Sequence, residues 1–339
     1  MFYRLFIICA GMFALIDYAQ ASDQTVPTKK LVYDAMLTKF EYPFTVKTFS
    51  LRSQRQDLTM AYMDVNPTAK KVVVLMHGKN FSGYYWERIA RELKSKGYRV
   101  IIPDQIGFGK SSKPEHYQYS FYNLALNSAK LLDFLEISSF AVVGHSMGGM
   151  LATHFTYLYP KKVQKLVLLN PIGLEPYLQY AKFKDPDFFY SMEKIKTPEK
   201  MRAYQKKNYY DGKWRPAYEK LLEPHIGQMQ GPDWERVAWN NALTYGPIFS
   251  EDITSKFSKI KTPTFLIIGT RDRTGPGRHW KKDGVKHQLG RYDQLGKAAA
   301  KAIKNAKLYE LPGLGHMPQF EDYEKFLKAF SQVFQPSLK

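Results

Sequence analysis

A serine stands between glycines in Gly144-His145-Ser146-Met147-Gly148, directly after an apolar run. Burying a serine hydroxyl in a strand costs free energy and glycine weakens a strand, so the segment is not typical of a strand interior. Gly-x-Ser-x-Gly where a strand meets a helix is instead typical of a sharp turn that presents a nucleophilic hydroxyl. We therefore predict that Ser146 is a catalytic nucleophile.

A serine nucleophile needs a base, and the base needs an acid that orients it. After a Gly-x-Ser-x-Gly serine, the acid and then the histidine are expected further along the chain. Asp272 ends the apolar segment "LIIGTRD", and His316 lies in the loop "LPGLGHMP". Both follow predicted strands, whose carboxyl ends meet at one edge of a parallel sheet. The intervening strand ends in Asn170, which offers no competing carboxylate, so we predict that Ser146, His316 and Asp272 act together.

An oxyanion hole is predicted from the segment "MHGKN", which follows another apolar run. The backbone N–H of Lys79, the residue after His77-Gly78, and that of Met147, the residue after the serine, are the expected donors. His145 adjoins the nucleophile and is expected to point away from it. The remaining histidines have no motif around them and are interpreted as surface or packing residues.

The rest of the chain predicts an α/β fold. Apolar segments rich in β-branched residues alternate with helical patterns, which is typical of a mostly parallel sheet covered by helices on both faces. A β-hairpin over 44–51 and 58–65 precedes this alternation. Predicted strands lie in 71–78, 98–104, 139–146, 163–171, 262–272 and 306–313, and predicted helices in 85–96, 121–135, 147–159, 294–305 and 320–334.

The alternation stops between Leu174 and Lys261, where aromatic residues and prolines dominate. This stretch is too long for a structureless loop, so we predict a helical cap over 174–261, inserted between core segments 22–173 and 262–339. Its aromatic side chains have two interpretations: they hold the short helices together, or some of them roof an apolar pocket over Ser146. They are Phe188, Phe189, Tyr190, Tyr209, Tyr210, Trp214, Trp234 and Trp239.

Residues 1–21 are typical of a secretory signal peptide, with Arg4, an apolar stretch and then Ala19-Gln20-Ala21. Cleavage after Ala21 predicts a periplasmic or secreted protein without stable membrane insertion, and an uncleaved anchor is the alternative. The only cysteine, Cys9, lies in this segment. The mature chain is therefore predicted to lack disulfides, thiol nucleophiles and cysteine metal sites.

The formal net charge of +19 fits a polyanionic partner, an anionic membrane surface or a basic solvated surface. The lysines are scattered rather than clustered, which favours the basic surface and no nucleic-acid partner. A phosphate loop, a zinc motif and a dinucleotide fingerprint are all missing from the sequence, so neither a cofactor nor a metal is expected. The sequence makes no prediction of oligomeric state.

Five segments, "HGKN", "PDQIGFGKSS", "GHSMGG", "GTRD" and "GLGHMP", together resemble the signature series of the α/β-hydrolase superfamily with a helical cap. The resemblance extends from about Thr45 to the C-terminus. It implies the same Ser–His–Asp triad and the same backbone donors, and it implies that Asp104 and Gly107–Gly109 shape a loop beside the site. Lys79 departs from the pattern, since relatives often carry an apolar residue there. Its side chain is expected to reach either an acidic substrate group or solvent.

Serine rather than aspartate at position 146 argues against the dehalogenase and epoxide-hydrolase branches of this superfamily. It favours acyl transfer to water, with a small ester as the first-choice substrate. A lactonase, an amidase, a carbon–carbon bond hydrolase acting on dienoic acids, and a cofactor-free haloperoxidase side activity are the alternatives. A basic envelope protein that binds without catalysis is the non-enzymatic alternative, and the intact triad pattern argues against it.

Overall fold

The computed structural model of the chain describes residues 31–334, and the predicted signal peptide lies outside the described residues. Its strands are β1 (Val46–Ser53), β2 (Gln56–Val65), β3 (Lys71–Met76), β4 (Tyr98–Pro103), β5 (Phe140–His145), β6 (Val163–Leu169), β7 (Thr264–Gly269) and β8 (Ala306–Leu311). They form an eight-stranded sheet in the order β1-β2-β4-β3-β5-β6-β7-β8. β1 and β2 pair antiparallel, β2 is antiparallel to β4, and the other pairs are parallel. The predicted mostly parallel α/β sheet is confirmed.

The helices fall between these strands largely where the sequence patterns predict them. They are α1 (Glu87–Ser95), α2 (Phe121–Phe134), α3 (Met147–Leu158), α4 (Tyr177–Tyr180), α5 (Pro186–Lys194), α6 (Pro198–Asn208), α7 (Pro216–Met229), α8 (Trp234–Leu243), α9 (Tyr245–Ser250), α10 (Tyr292–Ala302), α11 (Pro318–Glu321) and α12 (Tyr323–Val333). Short 3-10 helices occupy Gly83–Trp86 and Thr254–Lys259.

The prediction of a single closing helix over 320–334 was wrong, because the chain breaks between α11 and α12. Asp322 has an extended backbone with φ −146° and ψ 92°, and its side chain accepts a hydrogen bond from the Lys325 amide. An aspartate in this position caps a new helix by satisfying one of its free N–H groups. The local cap therefore overrides the continuous helical pattern.

The predicted hairpin is confirmed as β1 and β2, with Ser53 paired to Gln56. Gln54 and Arg55 form its two-residue turn, and their φ angles are 50° and 64°. Positive φ at both turn residues is what a type I′ turn requires, and this turn matches the twist of the two strands.

Both faces of the sheet are buried, as its parallel strands require. In β3, Val74 and Met76 join an apolar cluster that includes residues of α2 and α3. Val73 and Leu75 point to the other face, into a cluster that includes residues of α1 and α12. The alternation along a strand thus divides the core into two layers, one on each face.

Helices α4 to α9 lie between β6 and β7, and we call residues 174–261 the helical insert. Proline stands in the first turn of α5, α6 and α7. Proline suits this position because the missing N–H would have no intrahelical partner there. The Asp185 side chain adds a cap by accepting from the Phe188 amide. These start signals divide the insert into short helices.

Segments that precede and follow the helical insert in the sequence pack against it. The Tyr33 amide, before β1, donates to the Gly227 carbonyl of α7 at 2.9 Å. After β7, the Trp280 carbonyl accepts from the Lys182 amide at 2.9 Å. The insert is therefore fastened by residues that come both before and after it in the sequence.

The first turn of α3 lies directly against the backbone of the sheet. A Cβ atom at Gly144 would lie 2.2 Å from the carbonyl oxygen of Gly148, and one at Gly148 would lie 2.2 Å from that of Met76. Neither distance leaves room for a side chain, so this close approach requires glycine. Ser146 lies between these two glycines.

We predict that Gly144→Ala lowers the free energy of unfolding by about 3 kcal/mol, the upper end of the usual cost of overpacking. The reason is that the new methyl group would meet backbone atoms of α3, which cannot rotate away. Urea denaturation measures the change.

Gly246→Ala in α9 is the matched control, since a Cβ atom there has no neighbour within 4 Å. Alanine favours a helix, so this variant should be unchanged or more stable by up to about 1 kcal/mol. Equal destabilisation by the two substitutions would contradict the close-approach argument.

Candidate active site

Ser146 occupies the sharp turn between β5 and α3. Its backbone has φ 56° and ψ −121°, a region that residues with a side chain rarely adopt. The Ser146 amide donates to the Leu169 carbonyl of β6 at 3.2 Å, and the Ser146 carbonyl accepts from the Gly149 and Ile172 amides at 2.9 and 3.1 Å. These hydrogen bonds hold Ser146 in a strained backbone conformation, as is typical of functional turns.

His316 lies on the loop after β8 and reaches Ser146 across the carboxyl edge of the sheet. Its Nε2 atom lies 3.0 Å from Ser146 Oγ, and its Nδ1 atom lies 2.6 Å from Asp272 Oδ2. Since a carboxylate only accepts, Nδ1 carries the proton and Nε2 is free to accept from the serine hydroxyl. The three predicted residues thus form one hydrogen-bonded series in the order that proton transfer requires.

Asp272 is fully buried, and its carboxylate accepts hydrogen bonds from three partners. Besides His316, Oδ2 accepts from Asn170 Nδ2 at 2.9 Å, and Oδ1 accepts from the Thr274 amide at 2.8 Å. Burial raises the pKa of Asp272, but the His316 ring and the hydrogen bonds from His316 and Thr274 outweigh it, so its pKa is lowered overall. The carboxylate therefore stays ionised beside the imidazole.

Asn170 is a site residue that the sequence analysis missed, since it treated this position only as lacking a carboxylate. Its amide nitrogen donates to Asp272, and its Oδ1 atom accepts from the Gly269 amide at 2.9 Å. Asn170 thereby fixes the acid relative to the end of β7. Its place directly after β6, beside the strand that carries the acid, is the signal that could have identified it.

His145 points away from Ser146 Oγ and joins a buried chain of hydrogen bonds behind the nucleophile. Its Nε2 atom lies 2.9 Å from the His316 carbonyl oxygen, so Nε2 carries the proton. Nδ1 then accepts from the Tyr85 hydroxyl at 3.1 Å, and Tyr85 Oη accepts from the Gly78 amide at 3.0 Å. Burial, with a smaller effect of the nearby His316, lowers the pKa of His145 to about 3 and keeps it neutral.

The predicted oxyanion donors lie on the two segments that flank the nucleophile. Met147 is the first residue of α3, so its N–H has no partner within the helix. A Cβ atom at Gly78 would lie 3.0 Å from Ser146 Cβ, which brings the Gly78–Lys79 segment against the serine. Among residues 31–334, neither the Lys79 nor the Met147 amide donates a hydrogen bond to the protein. Both donors are available to a ligand.

The Lys79 side chain is buried beneath the helical insert rather than solvated, which differs from the expectation. Its Nζ atom donates to the Asn241 carbonyl at 2.7 Å and lies 4.1 Å from the centre of the Tyr245 ring. It also forms an ion pair with Glu193 Oε1 at 3.8 Å. Burial lowers the pKa of Lys79 to about 7, and the Glu193 charge opposes this only in part. The sequence did not predict this because the contact depends on how the insert docks.

Asp104 organises the loop that the resemblance assigned to shaping the site. Its Oδ1 atom accepts from the Gly83 amide at 2.6 Å, and its Oδ2 atom accepts from the Lys110 amide at 2.8 Å and the Tyr42 hydroxyl at 2.7 Å. A Cβ atom at Gly109 would lie 2.1 Å from Oδ2. The carboxylate thus ties this loop to the 3-10 helix at Gly83 and to the segment before β1.

Some aromatic residues of the helical insert stack on one another, and Tyr209 contacts His316. Tyr209 lies with its ring 4.7 Å from that of His316. Elsewhere Phe189 stacks on Tyr245 at 4.1 Å, and Tyr210 stacks on Tyr218 at 3.6 Å. Tyr209 therefore connects the insert to the base, while the stacked pairs hold its helices together.

Within residues 31–334 there is no group of three or more histidine, cysteine or acidic side chains arranged to hold a metal ion. In the same range, no helix has the length and apolar character needed to cross a membrane.

This chain resembles both solved structures and curated proteins. A crystal structure from Pseudomonas aeruginosa PAO1, described as a "probable hydrolytic enzyme", is 43% identical with a TM-score of 0.88, and the match covers 91% of this chain and 99% of that one. A 2-hydroxy-6-oxononadienedioate/2-hydroxy-6-oxononatrienedioate hydrolase of Burkholderia vietnamiensis is 27% identical, covering 83% of this chain and 93% of the relative. A partial match, to a cis-3-alkyl-4-alkyloxetan-2-one decarboxylase of Xanthomonas campestris, is 31% identical over 137 residues and covers only 38% of this chain and 44% of the relative.

A family model described as "alpha/beta hydrolase fold" matches residues 71–323. This range extends from the start of β3 to the start of α12 and contains Ser146, Asp272 and His316. The chain therefore belongs to the α/β hydrolase fold family and is a hydrolase of that family.

Proposed function

We propose that this protein is a serine hydrolase that cleaves carboxylic esters through an acyl-enzyme formed on Ser146. The observation that carries the proposal is the hydrogen-bonded series Asp272–His316–Ser146, with distances of 2.6 and 3.0 Å. A serine hydroxyl is a weak nucleophile unless an oriented base takes its proton, and this series supplies both base and orienting acid.

The proposed reaction has two balanced steps. Ser146 Oγ attacks the ester carbonyl carbon while its proton passes to His316 Nε2, and the Lys79 and Met147 amides stabilise the resulting oxyanion. The intermediate then collapses: the carbon–oxygen bond to the alcohol breaks, and His316 returns the proton to the leaving alkoxide. Water, deprotonated by His316, releases the acid from Ser146 by the same route.

A second candidate is hydrolysis of a carbon–carbon bond in a dienoic acid. It is favoured by the similarity over 83% of this chain to a protein named as a hydrolase of 2-hydroxy-6-oxo-dienedioates. The buried setting of the Lys79 ammonium argues against this candidate, since Glu193 and Asn241 already engage the one lysine of the nucleophile's flanking loop. A substrate carboxylate would have to displace them.

Turnover of p-nitrophenyl esters of increasing chain length, beside lactones, amides and a dienoic ketoacid, is the experiment that tests the proposal. We expect the highest kcat/KM on an ester and no detectable turnover by Ser146→Ala, which removes the attacking oxygen but leaves the fold intact. Equal melting temperatures of the two proteins provide the control. A preference for the ketoacid, or ester turnover by Ser146→Ala, would contradict the proposal.

Both carboxylate oxygens of Asp272 accept hydrogen bonds, and a prediction follows from this. Asp272→Asn should keep the shape of the site but favour the wrong imidazole tautomer, lowering kcat by about 10⁴-fold, as in other triads. The matched control is Asp283→Asn, because the Asp283 side chain is 94% exposed and pairs only with Lys182 on the surface. Steady-state kinetics on the best ester measures both, and near-normal turnover by Asp272→Asn would mean that another group orients His316.

The pH dependence of kcat/KM provides a further prediction. A general base acts only in its unprotonated form, so the rate should rise with pH if His316 is the base. Asp272 does not contribute a second rise in this range because its pKa is lowered, and His145 stays neutral because its pKa is lowered to about 3. Rates from pH 5 to 9, with chemistry limiting, measure the profile. A flat profile would rule against histidine as the base.

A further inference from the structure

Lys79 carries two features that no other residue of its loop combines in the described structure. Its backbone amide is a proposed oxyanion donor, and its side chain crosses to the helical insert. There Nζ donates to the Asn241 carbonyl of α8 at 2.7 Å and approaches Asn241 Oδ1 at 3.3 Å. Any shift of α8 that moves this ammonium therefore also pulls on the backbone that holds the oxyanion donor.

The ammonium sits in a closed setting built by three helices of the insert. Glu193 of α5 lies 3.8 Å from Nζ, and the ring of Tyr245 from α9 lies 4.1 Å away. The side chains of Lys79 and Glu193 are 9% and 1% exposed. A buried charge that loses its partner is strongly destabilised, so these contacts hold the side chain in one position. Lys196 also pairs with Glu193, on the side toward solvent.

The remaining restraints on this loop come from the sheet domain. The Gly78 amide donates to the Tyr85 hydroxyl at 3.0 Å, and His77 Nε2 accepts from the Gln105 amide at 3.0 Å. The Gly78 carbonyl, which belongs to the same peptide as the Lys79 amide, also accepts from His77 Nδ1 at 2.9 Å and from the Phe81 amide at 3.4 Å. These bonds hold residues 77 and 78 and the carbonyl side of that peptide. The Lys79 side chain adds a restraint from the helical insert, which acts on the Lys79 side of the peptide.

We propose that Lys79 is a positioning residue whose side chain, held by Asn241 and Glu193 of the helical insert, sets the position of its own amide in the oxyanion hole. The inference rests on the proposed function. Oxyanion donors act only when aimed at the place where charge develops, and a misplacement of about 1 Å can cost 10²-fold in rate. The insert thus contributes to the rate of acyl transfer as well as covering the site.

The test compares wild type with Lys79→Met on an oxygen ester and on the thionoester of the same acid and alcohol. Sulfur accepts hydrogen bonds weakly, so the oxyanion hole contributes little to thionoester turnover. We expect kcat on the oxygen ester to fall roughly 10- to 100-fold, less than or similar to the loss from removing a donor outright. KM and the thionoester rate should change much less.

Lys165→Met is the matched control. Lys165 is also a partly buried lysine that donates to a backbone carbonyl, that of Val333, and lies 5.1 Å from the ring of Phe334. It stands on β6 away from the nucleophile turn, so its replacement should leave the ratio of the two rates unchanged. This variant shows whether the effect follows from losing any partly buried lysine that donates to a carbonyl, or only from losing Lys79.

Several results would overturn the inference. They are unchanged kcat in Lys79→Met, an equal loss on both substrates, and a rise of KM confined to esters that carry a carboxylate. If Lys79→Met does not fold, as judged by circular dichroism, Glu193→Gln decides, with the same selective loss on the oxygen ester expected at smaller size. A wild-type protein that neither turns over esters nor is labelled at Ser146 by a fluorophosphonate would overturn the proposed function, and this inference with it.

Discussion

The first turn of α3 is pressed against the backbone of β3 and β5 so closely that only glycine fits at positions 144 and 148. Because of this contact the chain between the two glycines adopts a strained backbone conformation, and Ser146 has a φ of 56°. The same contact fixes the Met147 amide at the helix start. Because the neighbouring strands run parallel, the loops after β3, β7 and β8 arrive at the same edge. The site is assembled around a turn that packing makes rigid.

Most of the fold and the central site residues could be predicted because their signals are local. Apolar segments bounded by glycine and proline identify the strands, and Gly-x-Ser-x-Gly identifies the turn. Asp272 and His316 could be identified because they follow strands in a fixed order after the serine. The structure brings these three side chains into hydrogen-bond contact, and their catalytic roles stay predictions.

The features that the sequence did not predict depend on contacts between distant segments or on a single capping side chain. Asn170 binds the acid only because β6 lies beside β7, and its place at the end of a predicted strand does not by itself show which strand is the neighbour. The Lys79 side chain is buried because α5, α8 and α9 dock over it. The break at Asp322 was hidden because a single capping side chain outweighs a helical pattern that otherwise continues. In each case a tertiary or capping interaction determines the structure, and the periodicity of apolar residues in the sequence does not reveal it.

The helical insert reaches the site from two directions. Tyr209 packs on the ring of His316, and Asn241 binds the Lys79 side chain of the loop beside Ser146. The insert is itself fastened by the segment before β1 and by Trp280 after β7. These contacts join His316, the loop of Lys79 and the insert by packing and hydrogen bonds.

The central claim is that an ester passes through an acyl-enzyme on Ser146, and product partitioning tests it most directly. Several esters of one acid, with p-nitrophenol, phenol and ethanol as leaving groups, would be hydrolysed in water containing methanol, and the ratio of methyl ester to free acid measured. A common acyl-enzyme predicts the same ratio for every leaving group, because water and methanol compete for one intermediate. A ratio that varies with the leaving group would contradict the account, since the acceptor would then attack the ester before the alcohol departs.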